Sequence, residues 1–174
     1  MSENGNTEQR ERLVRRALEE FEARLIGYAA SILRDQDRAR DVTQDTFIKL
    51  YAQDPEKVSK ALKAWLFTVC RNRCLDILRK EKRMETMEQE QVVQIHDKTD
   101  DPSRQAERSD EQSEVMRFLE RLPENQKEVL RLKFQGDMSY KEISEVTSLS
   151  VSNVGFLIHA GLKRMRGMLS HQTA

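Results

Sequence analysis

Two cysteines, three prolines and six glycines in 174 residues leave little from which to build disulfide frameworks, irregular loops or phosphate-cradling turns. Cys70 and Cys74 lie four apart, on one face of any helix that contains them. Two thiols cannot complete a tetrahedral zinc site, and His96, His159 and His171 share no ligand spacing with them. A disulfide between consecutive turns would tie nothing distant, so the pair reads as two small core residues. The glycines form no phosphate-binding motif, and no nucleophile, base and acid recur at catalytic spacing. No metal, no cofactor and no enzymatic activity are expected. No apolar run approaches the roughly 18 residues that span a bilayer. The opening MSENGNTEQRER has no apolar leader core, which predicts a cytoplasmic protein with no membrane contact of its own.

Charge is abundant, at 34% of residues, beside 37% hydrophobic residues. With so few turn formers, this composition predicts an all-α fold. The zero net charge hides a pattern: residues 1–83 carry +4, residues 84–114 carry −7 and residues 115–174 carry +3. Two mildly basic helical blocks thus flank an acidic strip, and the distribution matters more than the total. Residues 1–9 read as a disordered N-terminus. Apolar residues at helical spacing predict helices from about 10 to 33 (Val14, Leu18, Phe21, Leu25, Ala29, Ile32), from 37 to 51 (Ala39, Val42, Phe47, Leu50, Tyr51) and from about 60 to 83 (Leu62, Trp65, Leu66, Val69, Cys70, Cys74, Ile77, Leu78). Residues 84–111 lack periodicity and read as a flexible acidic linker. Residues 112–170 form a second helical domain, followed by a short tail, 171–174. The free chain is expected to be a monomer of two lobes that move relative to each other.

The stretch from Leu122 to Leu169 is the most informative. Pro123 suits a first helical turn and Gly136 a helix stop. Ser139 and Glu142 make an S-x-x-E capping box that starts a helix. Thr147-Ser148-Leu149-Ser150 reads as a turn, with Ser150 capping the helix that follows. In that helix Val151, Val154, Ile158, Gly161, Leu162, Met165 and Leu169 recur on one face. Ser152, Asn153, Gly155, Phe156, His159, Ala160 and Lys163 point away from it. This is a helix-turn-helix, whose second helix meets base edges and phosphates in the major groove.

Two further helices carry sidedness. Residues 60–83 hold eight basic residues against Asp76 and Glu81. Thr68, Asn72, Arg79 and Arg83 follow one polar face, where cations neutralise phosphate and an amide can read a base. Trp65 fits either an apolar stripe or a stacking platform for an unpaired base. Asp41, Gln44, Asp45 and Lys49 form an exposed acidic face that is either merely solvated or a docking surface for a protein.

Taken together, "DVTQDTFIKLYA" (41–52) with "KAWLFTVCRNRCLDILRKEKR" (63–83) resembles region two of the extracytoplasmic-function sigma factors. The segment from Leu122 to Val154 resembles their region four. The resemblance implies two small helical domains, a region-two three-helix bundle at 10–83 and a region-four helix-turn-helix at 112–170. It implies an alternative sigma factor that binds core RNA polymerase and directs initiation at chosen promoters, with promoter DNA and an anti-sigma factor as further partners. By that resemblance Asp41, Gln44, Asp45 and Phe47 would dock on the β′ clamp helices. Lys60, Lys63, Trp65, Asn72, Arg79 and Arg83 would read and melt the −10 element. Ser150, Ser152, Asn153, Phe156, His159, Lys163 and Arg164 would serve the −35 element, with region four also touching the β flap.

One departure stands out. Residues 155–160 of the recognition helix carry no fixed positive charge, and basic residues return only at Lys163, Arg164 and Arg166. Phosphate contacts supply most sequence-independent affinity, so region four by itself is expected to bind DNA weakly and with an unusual −35 preference. Two rival readings stand beside the sigma factor. A stand-alone helix-turn-helix regulator would leave residues 37–83 unexplained. A sigma-like mimic that sequesters an anti-sigma factor would not need the basic helix.

Overall fold

The computed structural model describes residues 2–91 and 110–173, which are helical apart from short turns and one 3-10 segment. The first lobe holds α1 (Ser2–Leu33), α2 (Gln36–Tyr51), the short α3 (Pro55–Val58) with a 3-10 turn at Ser59–Ala61, and α4 (Leu62–Gln91). The second holds α5 (Asp110–Glu120), α6 (Glu124–Phe134), α7 (Tyr140–Thr147) and α8 (Val151–Gln172).

Local chemistry sets most of these boundaries. Arg34 takes a left-handed backbone and stops α1. The Asp35 carboxylate then accepts from the backbone N–H groups of Asp37 and Arg38, capping α2. Asp54 caps α3 in the same way, with Pro55 at the first helical position, so a short helix stands where a loop is expected. The N-terminus also departs from expectation: residues 2–9 are helical and continue α1 outward. At its far end α4 runs to Gln91, eight residues beyond the predicted stop, because charged residues such as Glu85 and Glu88 propagate a helix well without burying anything. The remainder of the expected linker, 92–109, lies outside the described residues.

In the first lobe α1, α2 and α4 surround a core containing Leu25, Tyr28, Val42, Leu50, Leu66 and Phe67. In the second, α6, α7 and α8 enclose Val129, Leu130, Leu132, Met138, Ile143 and Val154. The two lobes pack against each other in this structure. Their cores fuse into one cluster, and α4 lies against α7. The Tyr28 ring meets Phe67 edge-on at 5.3 Å, and Phe67 in turn reaches Gly136 of the second lobe.

Gly136 earns its place by close approach. Its φ is not positive; the left-handed residue of that turn is Asp137. A Cβ at Gly136 would lie 2.7 Å from the Leu132 carbonyl oxygen and 3.3 Å from Phe67. Gly27, inside α1, has nothing within 4 Å. Two glycine-to-alanine changes should therefore have opposite signs in thermal unfolding. Gly136→Ala should destabilise by about 1–3 kcal/mol through overpacking, whereas Gly27→Ala should stabilise by up to about 1 kcal/mol through helix propensity. Equal shifts in the same direction would refute the close-approach account.

Candidate polymerase and promoter interfaces

On α2, Asp41 and Gln44 are exposed side by side, and Asp45 is half-buried with its carboxylate 3.7 Å from Arg73. With Arg38, Val42 and Ile77 they line a shallow groove of about 360 Å³ between α2 and α4. Phe47 does not belong to this surface: it is 6% exposed and packed in the core, so it holds α2 rather than touching a partner. Tyr51, expected in the core, is exposed. Sequence reading also missed Ile48, which is 69% exposed and follows Asp41, Gln44 and Asp45 at helical spacing. The 41-44-45-48 periodicity carries that signal, hidden because isoleucine reads as core. An exposed β-branched apolar side chain beside two free polar ones is the composition of a protein-docking stripe.

The predicted −10 residues divide into two groups. Lys60, on the 3-10 turn, and Asn72, Arg79 and Arg83, along α4, are exposed, with Arg79 paired to Asp76 at 2.5 Å. Trp65 is partly buried against the core, which favours its packing role over a free stacking platform. Lys63 is engaged elsewhere: its ammonium donates to the Asp137 carbonyl at 2.8 Å and lies 3.3 Å from Glu142 of α7.

The helix-turn-helix follows its predicted joints. Ser139 accepts from the Glu142 N–H at 3.2 Å while Glu142 accepts from the Ser139 N–H at 2.8 Å, closing the capping box. Burial alone would raise the Glu142 pKa, but the Ser139 N–H and the Lys63 ammonium outweigh it and hold the carboxyl below its usual value. The charge pair is therefore intact at neutral pH and lost only as pH falls through the carboxylate range. Ser148 is left-handed and ends α7, and Ser150 caps α8 by accepting from the Asn153 N–H at 3.1 Å. Pro123 stands at the cap position just before α6, one residue earlier than expected, and makes no side-chain cap hydrogen bond.

On α8, Ser152, Asn153, Phe156, His159, Lys163 and Arg164 are exposed, with Phe156 at 69%. Two readings of this helix need correction: Val151 and Leu169 are exposed rather than buried, while Leu157 is buried. The first and last turns of α8 outrun the neighbouring helices, so helical spacing overstates the buried stripe there. Gly155 meets the ring of Tyr140, which also carries the Lys133 ammonium 5.6 Å from its centroid. A Cβ at Gly155 would lie 3.3 Å from that ring, and Tyr140 is exposed enough to yield. Gly155→Ala should therefore leave stability unchanged or raise it by less than about 1 kcal/mol, the helix-propensity gain; a fall in thermal midpoint would show that the ring cannot move.

Cys70 and Cys74 are free and fully buried. The hydrogen bond to Cys74, with burial, pushes the Cys70 thiol far above its usual range. Among the described residues no group of histidine, cysteine and carboxylate side chains is placed to hold a metal ion, and no helix is long and apolar enough to cross a membrane.

Comparison with known proteins matches the chain to two families: Sigma-70 region 2 over residues 17–84 and Sigma-70, region 4 over 112–165. The ECF RNA polymerase sigma factor RpoE of Cereibacter sphaeroides is 30% identical over 135 residues, 78% of this chain and 72% of that one. The ECF RNA polymerase sigma factor SigM of Bacillus subtilis is 27% identical over 143 residues, 81% of this chain and 85% of its own. A solved structure of the sigma factor RpoE in complex with the anti-sigma factor NepR from Bartonella quintana covers 90% of this chain and 96% of its own, with a TM-score of 0.65 and 25% identity. An all-helical chain with these two regions in this order is a sigma-70-type specificity subunit. Within that class, the chain belongs to the extracytoplasmic-function RNA polymerase sigma factors.

Proposed function

We propose that this sigma factor docks on core RNA polymerase through the α2 stripe Asp41, Gln44, Asp45 and Ile48, reads and opens the −10 element with Lys60, Lys63, Asn72, Arg79 and Arg83, and reads the −35 element with Ser152, Asn153, Phe156 and His159. Lys163 and Arg164 supply the phosphate contacts of the last element. The observation that carries this reading is the chain order of one exposed acidic-apolar helix, one basic helix and one capped helix-turn-helix. Phe47 supports the first contact from the core. The likeness to a sigma factor solved with an anti-sigma factor supports control by a partner of that kind, acting in the cytoplasm. The exposed basic face of α4 argues against a mimic that merely titrates such a partner.

Docking should be sensitive to the free pair on α2. Asp41→Arg with Gln44→Ala should reduce affinity for core polymerase at least tenfold, about 1.4 kcal/mol, with helicity unchanged. Asp45 is a poorer probe, because reversing it also sets a like charge against Arg73. Unchanged affinity in a purified binding assay would remove the assignment.

Transcription with purified core polymerase from a pool of randomised promoters tests the whole reading. Defined transcripts that depend on this chain are the expected result, and silence despite core binding would favour the mimic. In the same assay, Asn153→Ala and Phe156→Ala should each flatten base preference at one or two −35 positions, since a good base contact discriminates by about 1–3 kcal/mol. Unaltered preference with both variants would show that α8 is read through other residues.

A further inference from the structure

The outward face of α8 carries a group that hydrogen bonding to base edges does not use. Ser152, Asn153, Phe156, His159 and Lys163 are exposed on it, and Phe156 is the one large apolar side chain among them. Its ring is 69% exposed. Leu157 and Ile158, the next two residues, are buried and hold the helix so that Phe156 faces outward. Gly155 before it and Ala160 one turn on are small, so the ring stands clear of its own helix on those sides. From 152 to 160 the helix holds no lysine or arginine, the side chains that most often read guanine.

A single exposed ring is ordinary on a protein surface. Phe156 differs in its place. On the reading given above this face enters the major groove, where the ring loses its water whatever base lies opposite. There the thymine C5-methyl is the group that offers an apolar contact, and the remaining base edges present donors and acceptors. Against a donor or acceptor the ring displaces water and returns no hydrogen bond, which is unfavourable. Against the methyl it buries apolar surface on both sides. Asn153 lies three residues earlier, about 4.5 Å along the helix, close to the roughly 3.4 Å between stacked base pairs. An amide suited to an adenine edge and a ring suited to a thymine methyl thus fall on the same or neighbouring base pairs.

We propose that Phe156 is a specificity-determining residue that recognises the C5-methyl group of one thymine in the −35 element, with Asn153 reading an adenine in the same or the adjacent pair. The favoured ligand is duplex DNA with A·T pairs under the middle of α8. The ring senses the methyl group and not the polar edge beside it. It therefore accepts 5-methylcytosine better than cytosine at that position.

The assignment rests on the −35 role of α8 and is tested apart from it. The promoter selected by pooled transcription is rebuilt with each −35 thymine replaced singly by deoxyuridine, which lacks only the methyl group. Each duplex competes with its parent for limiting core polymerase carrying this chain. One replacement should lower wild-type occupancy about fourfold, the contribution of one buried methyl group. Phe156→Ala should bind the two duplexes equally, and Phe156→Leu, which keeps an apolar contact, should keep part of the preference. Placed at that position, 5-methylcytosine should recover part of what cytosine loses with the wild type and none of it with Phe156→Ala. Because the ring is exposed, both variants should keep wild-type helicity by circular dichroism. A thymine preference that survives Phe156→Ala, or a wild type indifferent to every deoxyuridine, overturns the methyl contact while leaving the −35 assignment standing. Transcription that is unchanged when the whole −35 element is scrambled overturns both.

Discussion

Glu128 is the joint on which the two halves of this molecule close. One carboxylate, whose side chain is 17% exposed, satisfies the Tyr28 hydroxyl and the Arg71 guanidinium of the other lobe. Burial first, and the neighbouring Glu128 charge second, drive the Tyr28 pKa well above its usual value, so this hydroxyl is a permanent donor. Removing Glu128 while the lobes stay together would orphan a buried hydroxyl and a half-buried cation, which costs about 1–3 kcal/mol for each unpaired group. Parting the lobes orphans neither, because water replaces the carboxylate at both. The same contact is therefore intolerant of truncation and tolerant of opening.

The second point of closure reuses a local device for a long-range purpose. Glu142 is needed where it is by the first turn of α7, because the capping box fixes its carboxylate over the Ser139 N–H. That position brings it to Lys63 without further side-chain ordering, so the cross-lobe pair adds little entropic cost to what α7 already bears. Asp137, left-handed just before the cap, offers its carbonyl to the same ammonium. The recognition helix one turn further on is poor in charge by contrast. On the proposed reading its phosphate contacts would rest on Lys163 and Arg164, and its base contacts on Ser152, Asn153, Phe156 and His159. Such a helix gains little from DNA alone and depends on the effective concentration conferred by a polymerase-bound first lobe.

What could be read in the sequence was what local chemistry decides. The Ser139–Glu142 box, the turn through Ser148 and the Ser150 cap all have short-range causes, and each appears at its predicted place. Helix α1 extends to Ser2 and α4 to Gln91 because charged residues propagate a helix without leaving an apolar stripe, the signal by which helices are recognised. Phe47 is buried, as its place on the apolar face of α2 predicts, while the exposed Ile48 escaped notice because hydrophobicity alone does not say which face meets solvent. Gly136 and Lys63 were illegible as joints between the lobes. Their roles exist only once residues about 70 positions apart meet, and nothing in either neighbourhood announces the other.

The charge pattern acquires its meaning from the same meeting. Both lobes carry net positive charge, +4 in residues 1–83 and +3 in residues 115–174, and on totals alone they should repel. They pack because the second lobe is two-sided. Glu120, Glu128 and Glu142 face Arg34, Arg71 and Lys63 of the first, while Lys163, Arg164 and Arg166 lie along α8. Complementary charges of this kind fix which faces meet more than how tightly they hold.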